Sequence, residues 1–447
     1  MAVTLQKTII SLFEAKKYKT LRDVLCVTNG ADIADLFSDL SNEAIPILFR
    51  LLPKDIASDT FAMMDSDDQE LLIKSFSDSE LKELFEELYV DDVVDIIEEM
   101  PANVVKRIIA NTDPQTRKDI NEILKYPEDS AGSLMTVEYI TLRPDMSVSE
   151  AIKRIKRTVA ETRTIYNCYV VDINRVLMGA LPIKTLLVSD ADDIVENIME
   201  QTVISVVTLT DKEEVYKLMS KYDTAILPVV DEENRLVGIV TFDDAIDVMQ
   251  EETTEDIKRM AAIAPSEDGY FKTTDISHAK NRIVWLFVLM IGAALTGVLL
   301  VSYEEAIASV PMLVSFIPMI MATGGNCGAQ SSTTVIRSMS IDEIKSGDFF
   351  KVIWTELRVS LVVSISLGII NAIRIIIMYH DSNLAMVVSV AMVLTMIFAQ
   401  LIGCLLPMLA KKIKLDPAVM ASPVITTLVD ATSIIIYFNI ASNVFKI

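Results

Sequence analysis

The stretch Ser422-Pro-Val-Ile-Thr-Thr-Leu-Val-Asp430-Ala-Thr-Ser433 belongs to the last apolar segment of the chain, residues 419–441. Ser422, Thr426 and Asp430 follow one another at intervals of four residues, so they share one face of a helix. A charged side chain at the centre of a bilayer costs about 3 kcal/mol on insertion scales and usually marks an ion or substrate path. The pattern predicts a membrane-spanning helix with Asp430 on an ion path. A purely structural Asp430, satisfied by a neighbouring helix, is the alternative.

Four more apolar segments precede this one, each near the roughly 20 residues that a bilayer requires. Short loops on one side of the predicted membrane carry Lys280 and Arg282, and also Lys411, Lys412 and Lys414. The opposite loops, SYEEA and HDSN, carry no Lys or Arg, which predicts a cytoplasmic N-terminus and an external C-terminus in a plasma (inner) membrane. The predicted spans are residues 283–302, 307–322, 352–379, 384–410 and 419–441.

The second span continues into Thr323-Gly-Gly-Asn-Cys-Gly-Ala-Gln330. Glycine weakens a helix, and irregular backbone at membrane depth is tolerated only where it is buried in protein or lines a water-filled cavity. Asn326 and Gln330 favour the cavity, because both are too polar for simple packing. Close contact between helices through small residues is the alternative.

One aspartate cannot neutralise a divalent cation, whereas two can. A single carboxylate in the last span therefore predicts a homodimer with Asp430 of both copies facing a shared axis. Magnesium keeps several of its waters and is often bound by one or two carboxylates, so a hydrated Mg²⁺ suits such a site.

Acidic residues dominate the first 280 positions, with 54 Asp and Glu against 30 Lys and Arg, while the remainder holds 9 and 10. So negative a region repels nucleic acid and attracts cations. The four cysteines form no CxxC pair, which argues against a disulfide framework or a zinc site. The two histidines, His278 and His380, cannot form the HExxH motif of a membrane metalloprotease, so an enzyme is not expected.

Two internal repeats organise the acidic half. Residues 51–64 and 89–100 resemble two copies of a helical repeat, within a region up to about residue 125 that shows no strand pattern. In the second repeat, the run from Tyr169 to Gly179 matches the run from Pro228 to Gly238, and each copy is typical of helix, strand, turn, strand, helix. The preceding segments 140–142 and 207–209 are predicted to correspond as opening strands.

This second repeat resembles a tandem pair of CBS domains. Gly238-Ile-Val-Thr241-Phe-Asp-Asp244 is similar to the CBS motif G-x-x-[ST]-x-x-D, whose last residue can hold a ribose. Asp244, Asp247, Glu251 and Glu255 then share one helical face, where they repel one another unless cations intervene. A solvated helix face is the alternative, but the position of this helix before the first span favours cation sensing.

Helical region, CBS pair, linking segment and five spans follow one another in that order. Together with Tyr126-Pro-Glu-Asp-Ser-Ala-Gly-Ser-Leu-Met-Thr136, TGGNCGAQS and SPVITTLVDAT, they identify the chain as a member of the MgtE magnesium channel/transporter family. The resemblance implies a multidomain membrane protein with an all-α superhelical N-terminal domain, an α/β CBS pair and a bundle of five transmembrane helices. The implied domains are residues 1–127 (helical domain), 128–252 (CBS pair), 253–280 (linking plug helix) and 281–447 (membrane domain).

The same resemblance implies a homodimer that conducts Mg²⁺ into the cytosol and is closed by intracellular Mg²⁺ between acidic domains, with ATP as a modulator. A proton-coupled or passive transporter of Mn²⁺, Co²⁺ or other divalent cations is the alternative. The implied ATP contacts are Thr241 and Asp244. The implied pore residues are Gly325, Asn326, Ser422, Thr426 and Asp430. The implied metal sensors are Asp91, Asp95, Glu213, Asp223, Asp244, Asp247, Glu252, Glu255 and Asp256.

Overall fold

The computed structural model describes residues 2–158, 162–266, 270, 273–420 and 422–446, and the chain divides into two units, Met1–Met249 and Gln250–Ile447. The described residues form helices throughout, with two small sheets confined to the first unit. The predicted fold class, a helical domain, a CBS pair and a bundle of membrane helices, is confirmed.

Ten helices make up residues 2–125, and local signals begin several of them. Asn29 and Asp113 accept backbone N–H groups at helix starts, and Ser77 and Glu80 form a reciprocal capping box. The helices that begin at Lys54 and Val90 belong to the two copies of the predicted repeat. The ten helices are α1 (Ala2–Glu14), α2 (Tyr18–Leu25), α3 (Gly30–Ser38), α4 (Ile45–Phe49), α5 (Lys54–Ala62), α6 (Ser66–Ser75), α7 (Asp78–Phe85), α8 (Val90–Glu99), α9 (Ala102–Asn111) and α10 (Pro114–Ile123).

The rest of the first unit has the predicted repeat of helix, strand, strand, helix. Each copy contains a three-stranded sheet in which a short strand runs parallel to the second strand, and the second and third strands are antiparallel. The first copy contains α11 (Ala131–Leu134), β1 (Thr141–Leu142), α12 (Val148–Thr158), β2 (Asn167–Val171), β3 (Leu177–Pro182) and α13 (Ile183–Val188). The second contains α14 (Val195–Ile198), β4 (Val206–Val207), α15 (Lys212–Tyr222), β5 (Ile226–Val230), β6 (Leu236–Thr241) and α16 (Phe242–Met260).

The strand register corrects one detail of the predicted repeat. Leu142 pairs with Val170 in the first sheet, and Val206 pairs with Val229 at the equivalent position of the second. Leu142 is therefore equivalent to Val206, whereas the sequence comparison had aligned it three residues later. The sequence comparison followed a shared Thr-Leu pair, but hydrogen bonding to the central strand sets the register.

The second unit contains five helices that are long and apolar enough to span a membrane, among the residues that the structure describes. The second candidate span, Pro311–Ser340, lies further along the chain than predicted, because residues 304–309 form a separate short helix and Pro311 begins a 3₁₀ turn. The helices are α17 (Asp275–Val301), α18 (Glu304–Ser309), α19 (Ile317–Ser340), α20 (Phe349–Tyr379), α21 (Ser382–Lys412) and α22 (Ser422–Phe445), with 3₁₀ turns at Pro311–Phe316, Ser346–Asp348 and Pro417–Met420.

The linking segment differs from the single plug helix that the resemblance implied. The helix α16 carries on from the CBS pair to Met260, and α17 begins at Asp275. Residues 261–266, 270, 273 and 274 between them are not helical. The segment 253–280 is thus the end of one helix and the start of another.

The glycine-rich stretch is helical, so the prediction of irregular backbone along a cavity is wrong for the glycines. The helix α19 continues through Gly324, Gly325 and Gly328, all of which are buried. Gly403 of α21 lies against Gly328, since a Cβ built on Gly403 would meet the Gly328 carbonyl oxygen at 2.4 Å. The alternative interpretation, close helix contact through small residues, is confirmed. Asn326 and Gln330, in contrast, are exposed.

This contact leads to a stability prediction. Gly403→Ala should force α19 and α21 apart, at a cost of roughly 1–3 kcal/mol that is typical of overpacking, and lower the melting temperature of the purified protein in detergent. The matched control is Gly297→Ala in α17, where an added Cβ meets no atom within 4 Å and alanine favours the helix. Equal melting temperatures for the two variants would contradict the contact.

Candidate functional site

The predicted pore residues lie where α19 packs against α22. A Cβ built on Gly325 would lie 3.1 Å from Cγ2 of Thr426, and one built on Gly324 would lie 2.9 Å from Cγ1 of Val429. Only glycine allows the two backbones to approach so closely. The structure therefore brings Gly325 and Thr426 together, while the side chain of Ser422 lies outside the described part of the chain.

Asp430 occupies the turn after Thr426 and is half-buried. Two further polar residues of α22, Ser433 and Tyr437, are hydrogen-bonded within the protein. Ser433 is buried and donates to the backbone oxygen of Asp430 at 2.8 Å, and the buried Tyr437 donates to the carbonyl oxygen of Leu313 at 3.0 Å. Ser433 and Tyr437 are thus structural, and Asp430 is the acidic residue of this helix. Asn326 lies exposed on α19.

The end of α16 is joined to the loop that leads into α22. Arg259 forms ion pairs with Glu255 on its own helix and with Asp416. Asp416 also accepts the N–H of Ala418 at 2.7 Å, in the manner of a residue that caps a helix start. Met260 packs on the apolar cluster that contains Val335. The linking segment therefore contacts both α19 and the loop before α22.

A second group of predicted residues meets in the first unit, where α8 of the helical domain faces the CBS pair. Asp91 is only 4% exposed, and among the residues that the structure describes neither of its carboxylate oxygens has a hydrogen-bond donor. Asp92 is half-buried beside it, and Glu138 from the first CBS copy accepts the N–H of Val90 at 3.4 Å. These carboxylates surround the start of α8. We call Asp91, Asp92, Glu138, Asp243 and Asp244 the acidic interface.

Burial and mutual repulsion raise the pKa of four members of the acidic interface, whereas burial of Asp243 is outweighed by the Thr241 hydroxyl and Arg163, which lower its pKa. Burial raises the pKa of Glu138 to about 7 and that of Asp244 to about 6. Burial likewise raises the pKa of Asp91 well above its ordinary value, and neighbouring carboxylates add to the shift while Arg163 opposes it. A desolvated carboxylate without donors is a strong acceptor for a cation. Asp91 is therefore a candidate cation ligand.

The predicted nucleotide residues are adjacent. The hydroxyl of Thr241 donates to the carboxylate of Asp244 at 2.5 Å, which holds both at the end of β6. Asp244 thus belongs to the CBS motif and to the acidic interface at once.

The remaining predicted sensors are more dispersed. Glu213 accepts the Lys217 ammonium at 2.7 Å, Glu255 is paired with Arg259, and Asp223 ends α15 in a left-handed conformation. Asp95 and Asp247 are exposed, and Glu252 and Asp256 are half-buried. Within the described residues, no three His, Cys, Asp or Glu side chains converge closely enough to hold a metal by themselves. The metal roles of these residues stay predictions.

Sequence reasoning missed several members of this site. Arg163 lies in a loop without a motif, and its partners Asp92 and Asp243 were not among the predicted sensors. Arg259 and Asp416 were not paired either. No local pattern signals these contacts, because they join positions that are far apart in the sequence.

The raised pKa values lead to a pH prediction for the metal-free protein. Carboxylates in water titrate near their ordinary values, whereas Glu138 and Asp244 titrate at about 7 and about 6 when the interface is formed. The formed interface therefore binds more protons than the separated domains do. Its stability is complete below the ordinary carboxyl pKa and is lost as pH rises through the raised pKa values of Asp244 and Glu138. In chelator, the protection of α8 from hydrogen exchange should therefore fall as pH rises from the ordinary carboxyl pKa through about 6 and about 7.

Glu138→Gln is the variant that checks this assignment. It removes one titrating group while keeping an acceptor for the N–H of Val90, so the pH dependence of α8 protection should become shallower. The Coulombic neighbours of Glu138 are Arg163 and Asp92, and neither is altered. Protection that increases with pH, or that is equally steep in the variant, would contradict the assignment.

Comparisons with known proteins identify the domains of the chain. The family described as divalent cation transporter MgtE matches residues 317–440, the MgtE intracellular N domain matches 28–129, and the CBS domain matches 131–191 and 195–251. A solved cytosolic domain of the Mg²⁺ channel MgtE in complex with ATP is 39% identical, with a TM-score of 0.51, and covers 56% of this chain and 100% of its own.

Full-length relatives extend the match to the whole chain. The magnesium transporter MgtE of Thermus thermophilus is 35% identical over 445 residues, 98% of this chain and 98% of the relative. The magnesium transporter MgtE of Bacillus subtilis is 30% identical over 434 residues, 97% of this chain and 96% of the relative. The resemblance that the sequence motifs indicate is confirmed, and with it a membrane protein that is no enzyme. The chain belongs to the MgtE family of divalent cation transporters.

Proposed function

We propose that this protein is a homodimer that carries Mg²⁺ across the plasma (inner) membrane into the cytosol. The named function of its full-length relatives supports magnesium as the ion. The observation that carries the proposal is Asp430, a half-buried carboxylate one turn beyond the close contact of Gly325 with Thr426. The loop basic residues support a cytoplasmic N-terminus and an external C-terminus.

Charge sets the stoichiometry at Asp430. Two copies supply two negative charges, which balance one divalent cation. A hydrated Mg²⁺ would contact the paired carboxylates through its waters, and the Thr426 hydroxyl and exposed Asn326 offer further acceptors. Electrostatic attraction then concentrates divalent cations over monovalent ones.

The acidic interface is the proposed sensor that closes this path. When cytosolic Mg²⁺ is abundant, it screens Asp91 and its neighbours, and the helical domain stays packed on the CBS pair. When Mg²⁺ is scarce, repulsion among the carboxylates loosens the packing. The assignment of a Mg²⁺ site to the acidic interface rests on Asp91, whose buried oxygens lack hydrogen-bond donors within the described residues. The predicted sensors on α15 and α16 contribute charge to the same response.

The link from sensor to pore follows α16. This helix begins with the acidic interface and ends at Met260, and Arg259 near its end pairs with Asp416 before the pore helix α22. A displacement of α16 would thus act through the Arg259–Asp416 ion pair on the loop before α22.

ATP is the proposed modulator of the response. A relative's cytosolic domain has been solved in complex with ATP, and the CBS motif is intact in Thr241 and Asp244. One oxygen of Asp244 accepts the Thr241 hydroxyl, and the other would accept a ribose hydroxyl. Because Asp244 also belongs to the acidic interface, a nucleotide there would change the field that Mg²⁺ experiences.

The pore proposal is tested by Asp430→Asn. In proteoliposomes, the variant should lose Mg²⁺ uptake or its preference for Mg²⁺ over Mn²⁺, Co²⁺ and Ca²⁺, because the neutral amide cannot balance the ion. Asp342→Asn, an equal change of charge at an exposed position between α19 and α20, should conduct like the wild type.

Three results would redirect the proposal. Unchanged uptake in Asp430→Asn would make this aspartate structural. Wild-type uptake of Mn²⁺ or Co²⁺ in preference to Mg²⁺ would favour the alternative substrate. Flux that follows an imposed proton gradient would favour proton coupling, whereas flux indifferent to the gradient would exclude it.

The sensor proposal is tested by Asp91→Asn. Removing a buried charge without donors relieves repulsion and removes a metal ligand, so the inhibition of uptake by cytosolic Mg²⁺ should become less steep. Asp35→Asn on the exposed face of α3 is the matched control and should retain the wild-type response. An Asp91→Asn variant that Mg²⁺ inhibits as steeply as the control would remove the basis of the sensor.

A further inference from the structure

Arg163 is the cation at the centre of the acidic interface. Its Nη1 lies 3.0 Å from Oδ2 of Asp92, its Nη2 lies 3.1 Å from Oδ2 of Asp243, and its Nε lies 3.7 Å from Oδ2 of Asp91. The guanidinium thus faces three carboxylates at once. Two of them belong to α8 of the helical domain and the third to α16 of the second CBS copy.

The backbone of Arg163 comes from a third element. It lies in the loop between α12 and β2 of the first CBS copy, and its N–H donates to the backbone oxygen of Glu138 at 3.0 Å. One side chain therefore connects the helical domain with both CBS copies. If the helical domain leaves the CBS pair, the contacts with Asp91 and Asp92 must break.

The surroundings of the Arg163 guanidinium stabilise its positive charge. The Arg163 side chain is only 18% exposed, and its Cζ lies 4.7 Å from the centre of the Tyr89 ring, a cation–π distance. Burial opposes the charge, but Asp91, Asp92, Asp244 and Asp243 outweigh it and raise the pKa of Arg163. Arginine is also more weakly hydrated than lysine and presents a planar fork to two carboxylates.

We infer that Arg163 is a tethered cation that attracts the helical domain to the CBS pair without a divalent ion and so offsets part of the repulsion among the carboxylates. The inference deepens the proposed Mg²⁺ sensor and rests on it. The guanidinium occupies the side of the acidic interface formed by Asp92 and Asp243. Within the described residues, Asp91 keeps two oxygens without hydrogen-bond donors. A divalent ion at these oxygens would neutralise the charge that the guanidinium leaves unbalanced. Arg163 thereby lowers the Mg²⁺ concentration at which the interface forms.

Two physical arguments support a regulatory role for Arg163 beyond local packing. Its partners Asp92 and Asp243 are 71 and 80 residues away in sequence and lie on different domains. The two contacts can therefore form together only when the helical domain is packed on the CBS pair. Without the guanidinium, Asp91, Asp92 and Asp243 would face one another with no cation of the chain among the contacts that the structure describes for them. Their repulsion would then have to be balanced entirely by bound metal or protons.

Arg163→Gln in the full-length protein tests the inference. Hydrogen exchange of α8 is followed by mass spectrometry, first in chelator and then along a titration with MgCl₂. In chelator, α8 should exchange roughly tenfold faster than in the wild type, the factor expected for losing a hydrogen bond to a charged group. Along the titration, the variant should need more Mg²⁺ to reach full protection, because an added ion must replace the guanidinium.

Matched variants separate this role from general effects of charge and folding. Arg157→Gln removes the same charge from an exposed position on α12 and should behave like the wild type. Arg163→Lys keeps the charge but loses the fork and the stacking on Tyr89, and should fall between wild type and Arg163→Gln. Peptides from β5 and β6 report the CBS core and should be equally protected in every variant.

The outcomes distinguish this inference from the proposed function. If Arg163→Gln and Arg157→Gln coincide in chelator and in the titration, the tether is wrong while Mg²⁺ sensing stands. If wild-type α8 ignores Mg²⁺ but loses protection in Arg163→Gln, the tether is supported and the proposed sensor fails. If the β5 and β6 peptides also lose protection in Arg163→Gln but not in Arg163→Lys, the arginine is part of the CBS core and the tether is overturned.

Discussion

A carboxylate that is taken out of water needs a cation beside it, and both units of this chain place one in that situation. In the first unit, Asp91 is buried at the contact of the helical domain with the CBS pair, without a hydrogen-bond donor among the described residues. In the second, Asp430 is half-buried in a helix that is apolar enough to span a membrane. Desolvation makes each of them costly when unpaired and attractive to a divalent ion. The same physical constraint thus underlies the proposed ion path in one unit and the proposed sensor in the other.

Close packing through glycine makes the membrane site possible. Gly324, Gly325 and Gly328 let α19 approach α21 and α22, so that Thr426 and Asp430 are held on a rigid helix and not on a loop. Within lipid, a continuous helix also satisfies its own backbone groups. The polar residues of the same stretch, Asn326 and Gln330, are thereby displayed at the exposed surface of α19.

Much of the fold could be predicted because it follows from periodicity and composition. Apolar length predicts the five spans, and the repeat of strands around Gly179 and Gly238 predicts the CBS pair. The predictions from sequence are wrong where tertiary contacts override local conformational preference. Glycine lowers helix propensity, yet buried packing keeps α19 helical through the glycine-rich stretch. Similarly, the opening strand of the second CBS copy is set by its hydrogen bonds to Val229 and Val230, which a sequence comparison does not see.

The sequence alone determined the family, the order of the domains, the membrane-spanning helices and the identity of Asp430 as the acidic residue of the last span. These depend on side-chain type and spacing along one segment. Only the tertiary structure decided that Gly325 meets Thr426, that Arg259 reaches Asp416, and that Arg163 stands among carboxylates from two other elements. Each of these contacts joins segments far apart in the chain. Their partners are chosen by packing and by electrostatic compensation, which no local pattern contains.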